Sequence, residues 1–423
     1  MRVVIIGAGM VGLSCAWSLQ EHGADVEVLD KGAVGAGSSW GNAGYLAPAF
    51  TVPLPEPSVL RYGVRAVLDP RSPVRVPARP DSGRARFLWH LARHCTERRW
   101  DRAMAGYARL NARIFAAFDA QRADGVATPT HDASVLAAFT RAADADGLLH
   151  ELDRVAASGQ PVDLDLLTAA QARAAEPNLS ERVALAVRVH GQRYLDPVAY
   201  TASLADRVRA RGGTVTEHTV VTGVTRSGGR IEVHGTDAGG PGSGADAGAR
   251  GGVIRDADVV VLAAGAWLPG LAGAHGVRMP QFGGRGYSFF VPLRTPLRGP
   301  LYVPAAKSAL APRDGGARVT GVMEFQRPDA PPDPARVPAI VRAVRPLLDG
   351  ADWGRIRHRW VGARPLTADG IPLVGPSATD GVYIAGGHGM WGVTLGPLTG
   401  RLLADHIATG AMPPELAWLN PLR

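Results

Sequence analysis

Val3-Val4-Ile5-Ile6-Gly7-Ala8-Gly9-Met10-Val11-Gly12, followed by a helix-like stretch to about His22 and a second apolar run ending in Asp30, decides the fold of this chain. Residues 3–6 are short, apolar and β-branched, which suits a buried strand. Gly7 allows the tight turn out of that strand, Gly9 lets the backbone approach a pyrophosphate, and Gly12 permits close helix–strand packing. Ala8, Met10 and Val11 complete the turn and open the helix, whose free N–H groups and positive dipole end suit phosphates. Val11, Cys15 and Leu19 recur at four-residue spacing and give that helix a face for the sheet. Residues 24–29 read as the second strand. Asp30 at its end is placed to accept hydrogen bonds from a ribose, and an acid there disfavours the extra phosphate of NADP. A lone GxGxxG is a weak signal; strand, glycine turn, helix, strand and terminal acid in this order are a strong one. The segment reads as a dinucleotide site in a Rossmann-type α/β unit, with the dinucleotide unspecified.

The 423 residues exceed one typical domain, so two are expected. The formal charge of +8 is carried almost wholly by arginine, Lys31 and Lys307 being the only lysines. No dense basic run or interleaved aromatic patch accompanies it, which argues against nucleic-acid binding and leaves a modest attraction to an anionic membrane surface open. Cys15 and Cys95 are the only cysteines, which excludes a disulfide framework or cysteine-based cluster and fits a reducing compartment. The first strand begins at Arg2, leaving no room for a cleavable signal peptide. The longest apolar stretch, 259–271, is too short to span a bilayer and is broken by Pro269. A cytoplasmic protein is expected, with peripheral contact at the inner face of the cytoplasmic membrane left open.

Along the chain, 45–80 is proline-rich and reads as irregular connection. Residues 82–125 turn helical, and 148–175 continue as helix-like segments. Strands are expected at 184–189, 214–216, 220–225, 231–233 and 258–263, with a helix over 197–211. The Gly/Ala/Ser/Asp stretch 235–252 reads as a long flexible hairpin tip. The near-continuous apolar run 258–263 suits a parallel strand buried on both faces. Short alternating strands over 280–322 suggest an antiparallel sheet of a second domain. A helix at 339–345, a strand at 381–385 and a final helix over 393–407 complete the reading. His90, His94 and Cys95 lie on a helical stretch with no matching second cluster, so no metal site is expected.

Two further segments select among dinucleotides. Gly37-Ser38-Ser39-Trp40-Gly41-Asn42-Ala43-Gly44 lets backbone run close beside a bulky planar ligand. Arg364-Pro365-Leu366-Thr367-Ala368-Asp369-Gly370 leads on to Ala385-Gly386-Gly387-His388-Gly389-Met390-Trp391-Gly392. With Tyr194-Leu195-Asp196-Pro197, residues 259–265, Arg285-Gly286-Tyr287-Ser288 and Glu324-Phe325, the chain resembles the D-amino-acid oxidase/dehydrogenase superfamily of FAD enzymes over nearly its whole length. Within it, the bacterial D-amino-acid dehydrogenases and glycine-oxidase-like relatives are the nearest in pattern. Asp30 stands where the family more usually has glutamate.

The resemblance implies a discontinuous FAD-binding domain (1–80, 160–270, 360–423) and an α+β substrate domain (81–159, 271–359) whose mostly antiparallel sheet roofs the isoalloxazine. It implies oxidation of a carbon–nitrogen bond beside a carboxylate, by hydride transfer from the α-carbon to flavin N5 with the amine already neutral. The imine then hydrolyses to a 2-oxo acid and ammonia. No strong protein base is needed on that route. The protein must orient the substrate, hold its carboxylate and stabilise charge on reduced flavin.

On the same resemblance Arg364 pairs with the substrate carboxylate, its planar fork matching two oxygens. Gly387, His388, Gly389, Met390, Trp391, Gly392, Val393 and Thr394 lie along the flavin pyrimidine edge, where the last helix aims N–H groups at developing negative charge. His388 is a candidate for flavin or substrate contact, with a backbone-bonded loop histidine as the alternative. Tyr287 and Tyr302 are candidates to bound the pocket or bond the substrate carboxylate, against the alternative of core tyrosines. Ser38, Ser39, Gly41, Asn42, Ala43 and Gly44 are assigned to flavin contact. Lys31 is grouped with Asp30 at the cofactor, Val221 with adenine, and Ala264 and Gly265 with the pyrophosphate. Cys15 and Cys95 both fall in helical regions, so noncovalent FAD is expected.

The expected partners are a small amino or imino acid and an electron acceptor, which is oxygen, a quinone or a soluble carrier. Oxidation of glycine, sarcosine or a specialised biosynthetic amine stays open, as does a flavin subunit of a larger complex. An NAD-dependent dehydrogenase leaves segments 38–44 and 386–394 without explanation.

Overall fold

The computed structural model describes residues 1–59, 72–237 and 252–423. Its smaller sheet is built on β1 (Arg2–Ile6), which is flanked in parallel by β2 (Asp25–Leu29) and β12 (Val259–Leu262). β8 (Thr214–Thr216) extends the β2 edge. On the other side β19 (Val382–Gly386) adds in parallel to β12, and β18 (Leu373–Pro376) closes that edge antiparallel. β1 and β12 are buried along nearly their whole length, which explains their unbroken apolar sequence. Helix α1 (Met10–Glu21) starts directly after β1. The chain's other helices are, in order, α2 (Ser82–His94), α3 (Glu97–Asn111), α4 (Ile114–Ala123), α5 (Asp146–Ala157), α6 (Ala169–Ala175), α7 (Pro197–Ala210), α8 (Leu268–Ala272), α9 (Arg336–Val344), α10 (Gly392–Thr409) and α11 (Pro414–Trp418).

Helices α1 and α10 touch at backbone level. A Cβ on Gly400 would overlap the Ser14 carbonyl, and one on Gly396 would lie 2.7 Å from the Met10 side chain. These glycines let the last helix lie against the first, so both helix N-termini are held beside the same sheet. Their shared core takes in Leu13, Trp100, Tyr107, Phe118, Tyr200, Leu398 and Leu402.

The larger sheet has ten strands and is mostly antiparallel. Its main path runs β17 (Arg357–Thr367), β13 (Gln281–Pro292), β16 (Gly316–Phe325), β15 (Ser308–Arg313), β14 (Leu301–Val303), β5 (His131–Phe139), β7 (Leu185–Tyr194) and β3 (Tyr45–Leu46). β4 (Val74–Arg75) pairs with β16 and β6 (Leu164–Thr168) with β7. A separate three-stranded sheet is formed by β9 (Thr219–Ser227), β10 (Arg230–Asp237) and β11 (Gly252–Ala257). The expected α/β unit with a second, largely antiparallel unit is the observed architecture.

Several local expectations are corrected. Residues 164–168, expected within a helical stretch, form β6, because a free edge of β7 offers backbone partners that outweigh leucine's helix preference. The proline-rich 45–80 region is irregular in most of its described part, yet it contributes the short strands β3 and β4 to the larger sheet. In the expected hairpin tip, Gly235 and Gly252 are themselves paired. The tip 238–251 and segment 60–71 lie outside the described residues. Hydrogen bonding places β7 in the larger sheet, while residues of α3 and α4 enter the core beside the smaller one. Among the described residues no helix is long and apolar enough to cross a membrane.

Candidate active site

One cavity of about 1130 Å³ runs from the glycine turn after β1 to Arg364 on β17. At the first end Gly7, Gly9, Met10 and Val11 border it. Gly7 has φ +119°, which glycine alone adopts without strain, and a Cβ on Gly12 would overlap the Gly7 carbonyl oxygen. Gly12 and Ala8 therefore shape the turn from behind rather than line the cavity. The Ala8 N–H donates to Asp30 Oδ2 at 2.6 Å and the Gly32 N–H to Oδ1 at 2.8 Å. Burial raises the Asp30 carboxyl above its usual range, and these two N–H bonds together with Lys31 oppose the rise. Asp30 and Lys31 border the cavity, as do Val221, Ala264 and Gly265.

Segment 37–44 forms the middle of the wall. Ser38, Ser39, Gly41, Asn42 and Ala43 border the cavity; Gly44 does not. The Ser39 hydroxyl accepts from the Met10 N–H at 3.1 Å, and the Asn42 side-chain oxygen Oδ1 accepts from the Gly44 N–H at 2.7 Å. The Ser38 hydroxyl donates to the Ala363 carbonyl, so this segment is tied both to α1 and to the strand carrying Arg364.

At the far end, the face of the larger sheet presents Tyr302, Ala309, Thr320 and Trp360. The first three stand in one cross-strand register. The Trp360 ring fills the space that side chains on Gly41 and Gly362 would occupy. Arg364 faces the same space. Its Nη1 donates to the Val322 carbonyl at 3.0 Å, and among the described residues it has no carboxylate partner. Withdrawal from water lowers its guanidinium to about 10, so it stays charged at neutral pH. A desolvated cation facing a cavity without a counter-charge is a receptor for an anion.

His388 also borders the cavity and is bonded by Nε2 to the Thr399 hydroxyl at 2.9 Å. Burial lowers its imidazole to about 4, so it is neutral at physiological pH. Gly389, Met390, Trp391, Gly392 and Val393 border the cavity, and the first-turn N–H groups of α10 lack helical carbonyl partners there. Gly387 and Thr394 stand back from it; the Thr394 hydroxyl donates to the Tyr45 carbonyl at 2.9 Å. The turn is fixed to β17 by the Gly389 N–H, which donates to the Pro365 carbonyl at 2.9 Å.

Tyr287 is not in the cavity wall. Side chains alternate along β13, and since Gly286 faces the guanidinium of Arg364, Tyr287 and Arg285 point to the opposite face. There the Tyr287 hydroxyl donates to Glu324 at 3.0 Å. Cys95, placed by the sequence simply in a helical region, caps α2 and borders the cavity. Burial, with a contribution from Glu56, pushes its thiol up to about 11, so it stands as a neutral thiol. Sequence reasoning also missed Glu56, Glu151, Trp267, Lys307, Asp329 and Trp360, all on the cavity wall. Burial and the charge of Glu56 raise the Glu151 carboxyl, with Lys307 and Arg154 opposing. These residues come from separate loops, a helix and strand β17, and only the tertiary fold gathers them.

The cavity suits an elongated anionic cofactor. One end offers a glycine turn and a helix N-terminus, the other a second helix N-terminus, and backbone runs close to the open space between them. The family model described as FAD dependent oxidoreductase matches residues 2–406. A D-amino acid dehydrogenase of Cereibacter sphaeroides is 29% identical, the alignment covering 96% of this chain and 92% of that one. The solved glycine oxidase from Geobacillus kaustophilus superposes with a TM-score of 0.73 at 21% identity, covering 100% of this chain and 99% of that one. Iminodiacetate oxidase from Chelativorans sp. superposes with a TM-score of 0.72 at 21% identity, covering 99% of both chains. The chain belongs to the FAD-dependent oxidoreductase family, and FAD is its cofactor.

Proposed function

We propose that this enzyme oxidises the carbon–nitrogen bond of a D-amino acid or cyclic imino acid, giving an imine that hydrolyses to a 2-oxo acid, with release of ammonia where the substrate is a primary amino acid and with ring opening that keeps the amine where it is cyclic. The observation that carries the reading is Arg364, a charged, desolvated guanidinium on the cavity wall with no acidic partner among the described residues. The D-amino acid dehydrogenase named above, matched over nearly its full length, supports the substrate class. Noncovalently bound FAD would supply a hydride acceptor at N5.

The smaller-sheet unit would hold the cofactor and the larger sheet would roof the substrate. In this reading Gly7 to Val11 and Asp30 with Lys31 hold the adenosine and pyrophosphate portion, with Val221, Ala264 and Gly265 beside them. Segment 38–44 runs along the flavin. The N-terminus of α10 (Gly392, Val393) places backbone N–H groups where reduction deposits negative charge. Arg364 holds the substrate carboxylate through its planar fork, and Tyr302 bounds the substrate on the sheet side. His388, neutral and bonded to Thr399, orients the turn 387–392 and is not required to take a proton. The substrate is then bound as its neutral amine, and what the chain contributes to rate is orientation and water exclusion.

The electron acceptor is oxygen, a quinone or a soluble carrier, and for a quinone the arginine-rich surface would favour contact with an anionic membrane. An anaerobic panel of D-amino acids, cyclic imino acids, glycine and sarcosine, followed by flavin absorbance and then by admission of air, tests the proposal. Bleaching by D-amino or imino acids supports it. Bleaching by glycine or sarcosine alone, or by no amine, rejects it. The speed of reoxidation in air separates an oxidase from a dehydrogenase.

A further inference from the structure

The way Arg364 is held involves more of the chain than the strand that carries it. On β13 the residue facing its side chain is Gly286, and a Cβ there would overlap the guanidinium. Opposite Gly286 the β13–β16 ladder is irregular. Arg285 pairs with Glu324 and Tyr287 with Gly321, so Val322 and Met323 together oppose the single residue Gly286, as in a β-bulge. Val322 and Met323 both border the cavity, while the Val322 side chain packs with Tyr287 and Ile340 in the core on the reverse face. Val322 has φ +55°, a left-handed conformation that a β-branched residue rarely takes, and its carbonyl is the acceptor for Arg364.

On the reverse face of the same two strands, Arg285, Tyr287 and Glu324 are buried together. The Tyr287 hydroxyl donates to Glu324 Oε2 at 3.0 Å and accepts from Arg285 Nη2 at 3.0 Å and from the Asp333 N–H at 2.8 Å. Arg285 also donates to the Ala330 and Pro331 carbonyls. These bonds join the two strands on either side of the bulge, so Val322 cannot relax without leaving buried polar groups unpaired.

We propose that this bulge is the positioning device of the anion receptor. Gly286 supplies the space, the Val322 carbonyl fixes one edge of the guanidinium, and Arg285, Tyr287 and Glu324 hold Val322 in place from behind. One of the five guanidinium donors is thereby engaged, and others stay available to grip a carboxylate. Tyr287 thus serves the anchor from the far side of the sheet as a positioning residue. The inference rests on the reading of Arg364 as the carboxylate anchor.

The test compares benzoate with benzamide, its uncharged analogue of similar shape, binding to flavin-loaded enzyme and read by flavin absorbance. The wild type is expected to bind benzoate at least thirtyfold more tightly than benzamide. In Gly286→Ala the group that must yield is the far end of a flexible side chain, so the backbone stays and the guanidinium moves. Flavin should remain bound, the benzoate Kd should rise tenfold or more, and the benzamide Kd should change less than twofold. Tyr287→Phe should lower the benzoate preference severalfold. A Gly286→Ala enzyme that keeps both flavin and the wild-type preference overturns the inference. Should Gly286→Ala fail to load flavin, Tyr287→Phe decides: an unchanged preference overturns the inference and a reduced one supports it. Failure of the underlying reading looks different, since wild type and Arg364→Ala would then show the same benzoate preference.

Discussion

The backbone of Ala8 and the carboxylate of Asp30 are directly joined, with the Ala8 N–H 2.6 Å from Oδ2. The end of β2 thereby closes over the glycine turn after β1. Asp30 consequently has two tasks, shaping the turn and presenting a carboxylate to the cavity, and aspartate in place of a longer acid suits the first of them.

Asp30→Ala should leave the Ala8 N–H without its partner and cost about 1–3 kcal/mol at the turn. Flavin affinity should fall roughly 5–150-fold by the same energy, measured as fluorescence of released flavin on dilution. Unchanged affinity would show that the turn holds its shape without the carboxylate.

Gly400→Ala should force α1 and α10 apart, because its Cβ would overlap backbone atoms of Ser14 that cannot rotate away. A loss of roughly 1–3 kcal/mol is expected from such overpacking, read from thermal unfolding. Gly147→Ala on α5, where a Cβ meets nothing within 4 Å, should be neutral or mildly stabilising in the same assay.

His388 gives a pH signature. Its folded pKa, about 4, lies below the ordinary 6.5, so below pH 6.5 the unfolded chain takes up a proton that the folded chain refuses. Stability therefore falls as pH drops from about 6.5 to about 4, and is fully present above that window. The full shift corresponds to about 3 kcal/mol. In His388→Gln this share should disappear, making denaturant unfolding between pH 7 and 4.5 less pH-dependent than in wild type. An identical pH dependence would mean that His388 protonates without penalty.

Lys31, Trp267 and Asp329 meet across the mouth of the cavity. The Lys31 ammonium lies 3.3 Å from the centre of the Trp267 ring and 3.8 Å from Asp329, and the Trp267 N–H donates to both Asp329 oxygens at 3.1 and 3.0 Å. Asp329 is exposed, so the ion pair itself is weak. Asp329→Ala should speed flavin release only about two- to fivefold, an effect of under 1 kcal/mol in line with an exposed pair, and high salt should shrink the difference. A hundredfold change would give this contact a larger role than its exposure allows.

Much of this architecture was legible in the sequence because local rules and tertiary demands agree there. Residues 3–6 and 259–263 are apolar without a break because both faces of β1 and β12 are covered, and Gly7 and Gly12 mark a turn with no room for side chains while Gly9 leaves the backbone open to the cavity. Arg364 was legible through its Arg-Pro context and the family resemblance. Tyr287 was harder: in a strand, facing depends on a period of two, and the clue was the neighbouring Gly286, whose small size marks the cavity side. The bulge at Val322 left no sequence signal, since a β-branched residue with positive φ runs against its own preference. The two glycines of α10 that meet α1 lie in an ordinary helical pattern, and their purpose appears only when the partner helix is present. At 164–168 the leucines favour a helix, and only the free edge of β7 decides for a strand.

The most direct test of the account is anaerobic stopped-flow reduction of the flavin-loaded enzyme by a D-amino acid that bleaches the wild type, compared with Arg364→Ala. Loss of a charge-assisted, paired contact of about 3–5 kcal/mol predicts a fall in kred/Kd of roughly 10²–10³-fold or more, with flavin still bound and its spectrum intact. Reduction of Arg364→Ala at the wild-type rate and affinity would contradict the account at its centre.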